Sequence, residues 1–146
     1  MTERAEQLRR IVAHAEPRLR RMNDADVTRD RGPDKWVKKQ ILGHLIDSAV
    51  NNDVRFVLAQ SVDPFVGPGY DQNAWNAAHG YRDRAWTELV DVWVALNSHL
   101  GYVIARVPTA KLSVRCVIGG GAAVTLEFLI QDYIEHLEHH LQQIWA

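Results

Sequence analysis

The chain has 146 residues, of which 47% are hydrophobic and 24% are charged, with 17 Lys and Arg against 18 Asp and Glu. A chain of this length buries about two-thirds of its unfolded surface, so we expect a single domain over residues 1–146. The net charge of −1 argues against nucleic acid as a partner, because phosphate binding needs a one-sided basic surface. No run of about 18 apolar residues occurs and the N-terminus is polar, so we expect neither a membrane span nor a signal peptide, and a cytoplasmic protein.

The first helix is predicted from apolar residues that recur every three or four positions over about residues 3–26. Pro17 falls inside this pattern, and an interior proline removes a backbone hydrogen bond at a cost of about 3 kcal/mol. We therefore expect a kink or a break there. The segment TRDRGP at 28–33 predicts a loop, and Asp34 is the candidate N-cap of a second helix over about residues 34–60.

A long connection at 61–83 follows the second helix. An Asp-Pro pair and a Gly-Pro-Gly sequence end the helix, and no periodic pattern resumes within the connection. Loops of this length in compact domains are often binding loops or lids. Two interpretations of its side chains stay open: Tyr70, Asp71 and Trp75 line the mouth of a pocket, or the aromatic rings pin the loop to the helices.

The rest of the chain predicts two more helices. Regular apolar spacing indicates a third helix over about residues 84–106, which Pro108 ends, and a fourth over about 124–145. Between them, residues 112–118 alternate as in a short extended segment, and the glycines at 119–121 predict a flexible joint. Four amphipathic helices bury their apolar faces most simply against one another. The sequence therefore predicts an all-α four-helix bundle, with the connections at 61–83 and 108–123 near one end and long enough to allow crossovers.

Three histidines lie close together in the fourth helix. With Leu137 as the centre of the apolar face, His140 lies at about −60°, His136 at about −100° and His139 near −160°. His136 and His140 therefore stack on the border of the core, whereas His139 faces water. A spacing of four residues places two imidazoles one turn apart, where they can bind one metal ion. The alternative is a pair of half-buried histidines that are only hydrogen-bonded.

His44 is the third candidate ligand, in the sequence GHLIDS of the second helix. It falls on a polar stripe with Gln40, Asp47 and Ser48, beside the apolar arc of that helix. Periodicity alone does not direct its side chain toward the fourth helix, so a solvated histidine is an open alternative.

Several segments together resemble the DinB/YfiT family, whose members are four-helix bundles with a three-histidine metal site. The resemblance is carried by GHLIDS, by YDQNAW at 70–75, by Trp93 and Asn97, and by VTLEFLIQDYIEHLEHHLQQI near the C-terminus. Its most specific part is one histidine in the second helix followed by H-x-x-x-H in the fourth. The resemblance implies that His44, His136 and His140 are the metal ligands.

The resemblance also implies a function. Three imidazoles leave a divalent ion, zinc or nickel, with an open position for water or substrate. Similar proteins include thiol-dependent S-transferases, isomerases and metal-dependent hydrolases, so we expect a metal-dependent enzyme that acts on a small electrophile, with a low-molecular-weight thiol as co-substrate. The alternative is a non-catalytic, metal-binding, dimerising helical bundle. In either case we expect a homodimer.

The remaining candidate residues are two aspartates, an asparagine, a cysteine and three histidines. Asp47 and Asp132 lie one turn from His44 and His136 and could orient the second nitrogen of each ligand, or could simply be solvated. Asn97 is expected to be a buried amide satisfied by the backbone, and Cys116 a small buried residue. The remaining histidines, at 14, 79 and 99, are expected at the surface. A metalloprotease H-E-x-x-H is excluded because Leu137 follows His136.

Overall fold

Helices form most of the chain in the computed structural model, which describes all of residues 1–146. Four long helices alternate with two short ones and three short strands. The helices are α1 (Thr2–Arg20), α2 (Asp24–Thr28), α3 (Lys38–Leu58), α4 (Gln72–His79), α5 (Trp86–Ala105) and α6 (Leu126–Trp145), and the strands are β1 (Phe65–Gly67), β2 (Arg115–Ile118) and β3 (Val124–Thr125).

The four long helices form a bundle whose order in space differs from their order along the chain. Helix α1 packs against α5 and α6, and α3 also packs against α5 and α6. Helices α1 and α3 are therefore diagonal to each other in the bundle, although they are consecutive long helices. Helices α5 and α6 are likewise consecutive and diagonal to each other. The predicted four-helix bundle is confirmed. The connections after α1 and after α5 cross the bundle diagonally, whereas the long connection at 61–83 joins the neighbouring helices α3 and α5.

All four long helices contribute to one hydrophobic core. A single cluster of 32 buried residues contains side chains from each of them, with Trp93 of α5 and Phe56 of α3 fully buried. None of the helices is both long and apolar enough to cross a membrane.

The N-terminal region contains two helices where one was predicted. Helix α1 continues through Pro17 and ends at Arg20, and α2 begins after Asn23, whose side chain caps it. The predicted helix over 3–26 is therefore wrong beyond Arg20. The carbonyl of Leu19, in the last turn of α1, accepts a hydrogen bond of 2.8 Å from the indole of Trp86, which ties this end of the helix to α5.

Helix α3 begins four residues later than predicted. Asp34 has φ +59°, a left-handed conformation, so it belongs to a turn and does not cap the helix. Val37 is the N-cap residue, and its backbone N–H donates a hydrogen bond of 3.0 Å to the side-chain oxygen of Gln40 in the first turn of the helix. The prediction that Asp34 is the N-cap is wrong.

The connection at 61–83, predicted as a loop, contains helix α4 and strand β1. The Asp71 carboxylate accepts hydrogen bonds of 3.0 Å from the backbone N–H groups of Asn73 and Ala74, as an N-cap does. Gly80 ends the helix at φ +61°. Helix α4 packs against α3, so this connection covers one side of the helix that carries His44.

A small sheet joins the second and third connections. Strand β1 pairs with β2 in parallel, and β2 pairs with β3 in an antiparallel arrangement. The extended segment predicted at 112–118 is thus confirmed for residues 115–118. The glycines predicted as a joint form the turn after β2, with positive φ at Gly119 and Gly120, and the N–H of Gly119 donates to the carbonyl of Gly67 at 2.9 Å.

Candidate metal centre

Three histidine rings converge where α3 and α6 pack together. His44 Nε2 lies 3.1 Å from His136 Nε2, and His140 Nε2 lies 3.1 Å from the same atom. One ring nitrogen from each of the three residues lies within 4.8 Å of the other two. The adjacency of α3 and α6 in the bundle thus brings together residues that are 92 positions apart in sequence.

His44 is buried, with 2% of its surface exposed, although it falls on the polar stripe of α3. The burial arises because α3 packs against α5 and α6 and is also covered by α4 and by the turn at Tyr81–Asp83. The indole ring of Trp36 lies 5.1 Å from the imidazole, centre to centre. The alternative of a solvated side chain at this position is therefore wrong.

The environment keeps the three imidazoles neutral at pH 7. Burial, followed by the charges of the neighbouring histidines, lowers the pKa of His44 to about 4 and that of His136 to about 4. Burial also lowers the pKa of His140, against a hydrogen bond to Gln143 that raises it. Neutral imidazoles present the lone pairs that a divalent ion requires.

Gln143 determines which nitrogen of His140 carries the proton. Its side-chain Oε1 lies 2.8 Å from His140 Nδ1, and because a carbonyl oxygen only accepts, Nδ1 carries the hydrogen. Nε2 therefore holds a lone pair directed at the other histidines. Gln143 was not among the predicted site residues, although its spacing of three residues from His140 places both side chains on one face of α6.

The donor set fits a divalent ion. Zinc binds imidazole nitrogen at about 2.0–2.1 Å, which separates neighbouring tetrahedral ligands by roughly 3.3 Å. The two separations of 3.1 Å are close to that value. No carboxylate or thiolate joins the group of three, so three imidazole nitrogens are the protein atoms that could bind an ion here.

The two predicted orienting carboxylates do not contact the cluster. Asp47 is buried, and its Oδ1 accepts a hydrogen bond of 2.6 Å from the Tyr81 hydroxyl and lies 2.9 Å from His79 Nδ1. His44 Nδ1 is buried with no hydrogen-bond partner. Asp132 is exposed and forms no hydrogen bond with His136. Burial raises the pKa of Asp47, and its contacts with Tyr81 and His79 partly oppose that rise.

The other single residues lie largely where the sequence indicated. Cys116 is fully buried, and the Asn97 amide donates to the carbonyl of Trp93 at 2.9 Å. The side chain of His79 is 47% exposed, so its surface position is confirmed, but its contact with Asp47 was not predicted. His14 and His99 are also exposed.

A cavity of about 510 Å³ lies beside the histidine cluster and reaches His140 and Gln143. Its other walls come from Gln72 and Asn73 in the first turn of α4, and from Arg31, Asp34, Lys35, Trp36 and Ile41. Tyr70 and Trp75, predicted as candidates for its mouth, do not line it. Their rings pack on each other 5.2 Å apart, and the guanidinium of Arg55 in α3 lies 5.9 Å from the centre of the Tyr70 ring. The contact with α3 is in keeping with the alternative that these rings pin the segment to the helices.

Comparisons with known proteins agree with this architecture. The model of the DinB superfamily matches residues 7–144. "Putative metal-dependent hydrolase BH0277" of Halalkalibacterium halodurans is 23% identical over 125 residues, which cover 84% of this chain and 71% of that protein. The structure of YfiT from Bacillus subtilis, described as "a probable metal-dependent hydrolase with an unusual four-helix bundle topology", superposes with a TM-score of 0.81 at 18% identity, over 99% of this chain and 85% of that one. The match of the family model over nearly all residues shows that the chain belongs to the DinB superfamily.

Proposed function

We propose that the chain is a metal-dependent enzyme in which His44, His136 and His140 hold one divalent ion, zinc or nickel, for reaction with a small molecule. The observation that carries the proposal is the convergence of three neutral imidazoles beside a cavity, with no fourth protein ligand. A structural metal site is normally closed by four protein ligands, whereas a catalytic site keeps a position open. Relatives described as metal-dependent hydrolases support the same conclusion.

The chemistry follows from that arrangement. A divalent ion with an open position lowers the pKa of a bound water or thiol and stabilises negative charge that develops during reaction. The protein residues bind and orient: Gln143 fixes the His140 tautomer, and the Trp36 ring packs against His44 on the side of the cavity. Burial of the cluster keeps the ligands unprotonated at neutral pH.

We further propose that the nucleophile is external. Cys116 is the only cysteine, and it is fully buried, with its thiol directed at the carbonyl of Val114. Burial raises the pKa of this thiol, which keeps it protonated. A low-molecular-weight thiol that attacks a small electrophile would make the protein a thiol-dependent S-transferase or a related isomerase, and water in the same place would make it a hydrolase.

Cobalt substitution tests the proposal. A thiolate bound to Co²⁺ gives a charge-transfer band in the near ultraviolet, so the band should appear when 2-mercaptoethanol is added to the Co²⁺ protein. It should be absent in His136→Ala and His140→Ala and retained in the matched control His139→Ala, whose side chain is exposed. Failure to take up Co²⁺ or Zn²⁺ at all would overturn the metal site. A cobalt spectrum that shows a fourth protein ligand would support the non-catalytic, dimerising bundle instead.

A further inference from the structure

The cavity beside the histidine cluster has a cationic wall. Arg31 and Lys35 both line it, and neither forms an ion pair. Asp34 is the one acidic side chain among the lining residues, and it too is unpaired. Two cationic side chains against one carboxylate give the walls of the cavity a net positive charge.

Arg31 is held in a fixed position near the metal centre. It is partly buried, and its Nη1 donates a hydrogen bond of 3.1 Å to the carbonyl of Trp36. The ring of Trp36 in turn packs against His44. A guanidinium has five N–H donors, so most of those on Arg31 are left for a ligand. The planar arrangement of these donors matches a carboxylate.

Basic side chains outnumber carboxylates around this wall, where Asp34 is the one acidic residue that lines the cavity. The pKa of Lys38, in the first turn of α3, is lowered by its burial and then by the charge of Arg31, with Asp26 opposing and Arg29 adding to the effect. Asp26 itself is paired with Arg29 at 3.0 Å. Arg31 forms no ion pair and donates only to a backbone carbonyl, so an anion bound beside it would be attracted by its charge.

We infer that the cavity selects small molecules that carry a carboxylate group, which binds Arg31 and Lys35 while the reacting end of the molecule faces the histidine cluster. The inference rests on the proposed function, because it names the class of substrate or co-substrate that the same site takes. It assigns Arg31 and Lys35 as specificity-determining residues rather than metal ligands.

A matched pair of thiols tests the charge preference at the metal. In the Co²⁺ protein, 3-mercaptopropionate and its neutral isostere 3-mercaptopropionamide are titrated at low ionic strength, and the charge-transfer band gives each Kd. The carboxylate should bind on the order of tenfold more tightly, the expected effect of a charge-assisted hydrogen bond. The preference should be lost in the Arg31→Gln, Lys35→Gln double variant and kept in Lys111→Gln, whose side chain is exposed and does not line the cavity. Equal Kd values for the two thiols in the unmodified protein would overturn the inference.

A second measurement needs neither metal nor thiol. Succinate should raise the Tm of the metal-free protein, with a rise that grows as the logarithm of its concentration above the Kd. Succinamide should not raise the Tm, and the double variant should show no rise with either compound. If succinate binds but no added thiol produces the charge-transfer band of the Co²⁺ protein, the carboxylate site at Arg31 and Lys35 is supported and the thiol function is overturned. A thiol band without succinate binding, and with no preference between the two thiols, would overturn the anion site and leave the thiol function standing.

Discussion

The ring of Tyr81 fills the space beside Gly43 into which any larger side chain at that position would project. Gly43 immediately precedes His44 on α3, and the hydroxyl of Tyr81 donates to Asp47 one turn further along. One tyrosine therefore covers the turn of α3 that carries the candidate ligand. The absence of a Cβ at position 43 is what permits this close approach.

Replacement of Gly43 by alanine should destabilise the protein by about 2 kcal/mol, because the added methyl group meets the ring of Tyr81 in a packed interior. Gly101→Ala is the matched control. Its added methyl group would lie at an ordinary 3.6 Å from the Arg9 side chain, and alanine is the better helix former by about 1 kcal/mol. Urea unfolding of both variants checks the prediction. A Gly43→Ala variant as stable as the parent would show that Tyr81 moves away without cost.

Loss of the Gln143 side-chain oxygen should weaken metal binding. Gln143→Leu removes the hydrogen-bond acceptor of His140 Nδ1, so the proton can move to Nε2, the nitrogen that faces the other histidines. Loss of such an orienting partner costs about 10-fold or more in metal affinity. The affinity for Zn²⁺ is measured by competition with a chromophoric chelator. Gln142→Leu, at an exposed position on the same helix, is the control and should bind like the parent. Equal affinities in both variants would contradict a role for Gln143.

Added Zn²⁺ or Ni²⁺ should stabilise the folded protein. A ligand that binds only the folded state contributes about 2.7 kcal/mol when its concentration is 100 times its Kd. His44→Ala, His136→Ala and His140→Ala should each lose most of the rise in Tm, whereas His139→Ala should keep it. Thermal denaturation with and without each metal provides the measurement. An undiminished rise in all three ligand variants would place the metal elsewhere.

The stability of the metal-free protein should fall as the pH is lowered from about 6.5 to about 4. The pKa of His44 and of His136 is about 4 in the folded state, against an ordinary value of 6.5. Between these values the unfolded chain binds more protons than the folded chain, so the free energy of unfolding decreases with falling pH. Well above pH 6.5 the two histidines are uncharged in both the folded and the unfolded chain, so they no longer make the free energy of unfolding depend on pH.

Urea unfolding at several pH values in the presence of a chelator measures this dependence. His136→Gln should show a shallower decrease, because the variant lacks one of the two shifted groups. The control is His139→Gln, at an exposed position on the same helix, and this variant should retain the slope of the parent. A parent protein with the same stability at pH 6.5 and pH 4.5 would contradict the prediction.

The sequence predicted the long helices and the orientation of α6 well, because both depend on local periodicity. The angular positions of His136, His139 and His140 follow from a regular helix, and the structure places the first and third beside the core and the second in solvent. The position of His44 does not follow from α3 alone. Its polar stripe is buried because α4, α6 and the turn at Tyr81–Asp83 pack against it, and those contacts depend on tertiary packing.

Helix α4 was not predicted, because the proline and glycine residues before it favour a loop over the whole of 61–83. The local evidence was present: Asp71 and Gly80 bracket eight residues as an N-cap and a C-cap. The opposite error occurred at Asp34, a residue with good capping chemistry that lies in a left-handed turn. Capping residues indicate a helix end only when the backbone around them is extended, which composition does not determine.

The order of helices in the bundle constrains how the chain can fold during synthesis. Helix α1 packs on α5 and α6, so its apolar face has no long helix to pack against until residues beyond 86 are available. Helices α3 and α5 are the only consecutive long helices that are also neighbours, which makes them the natural first pair to associate. Helix α6 follows all other elements along this chain and carries two of the three converging histidines. The candidate metal centre can therefore be assembled only after the other three long helices have been made, so acquisition of metal would mark completion of the fold.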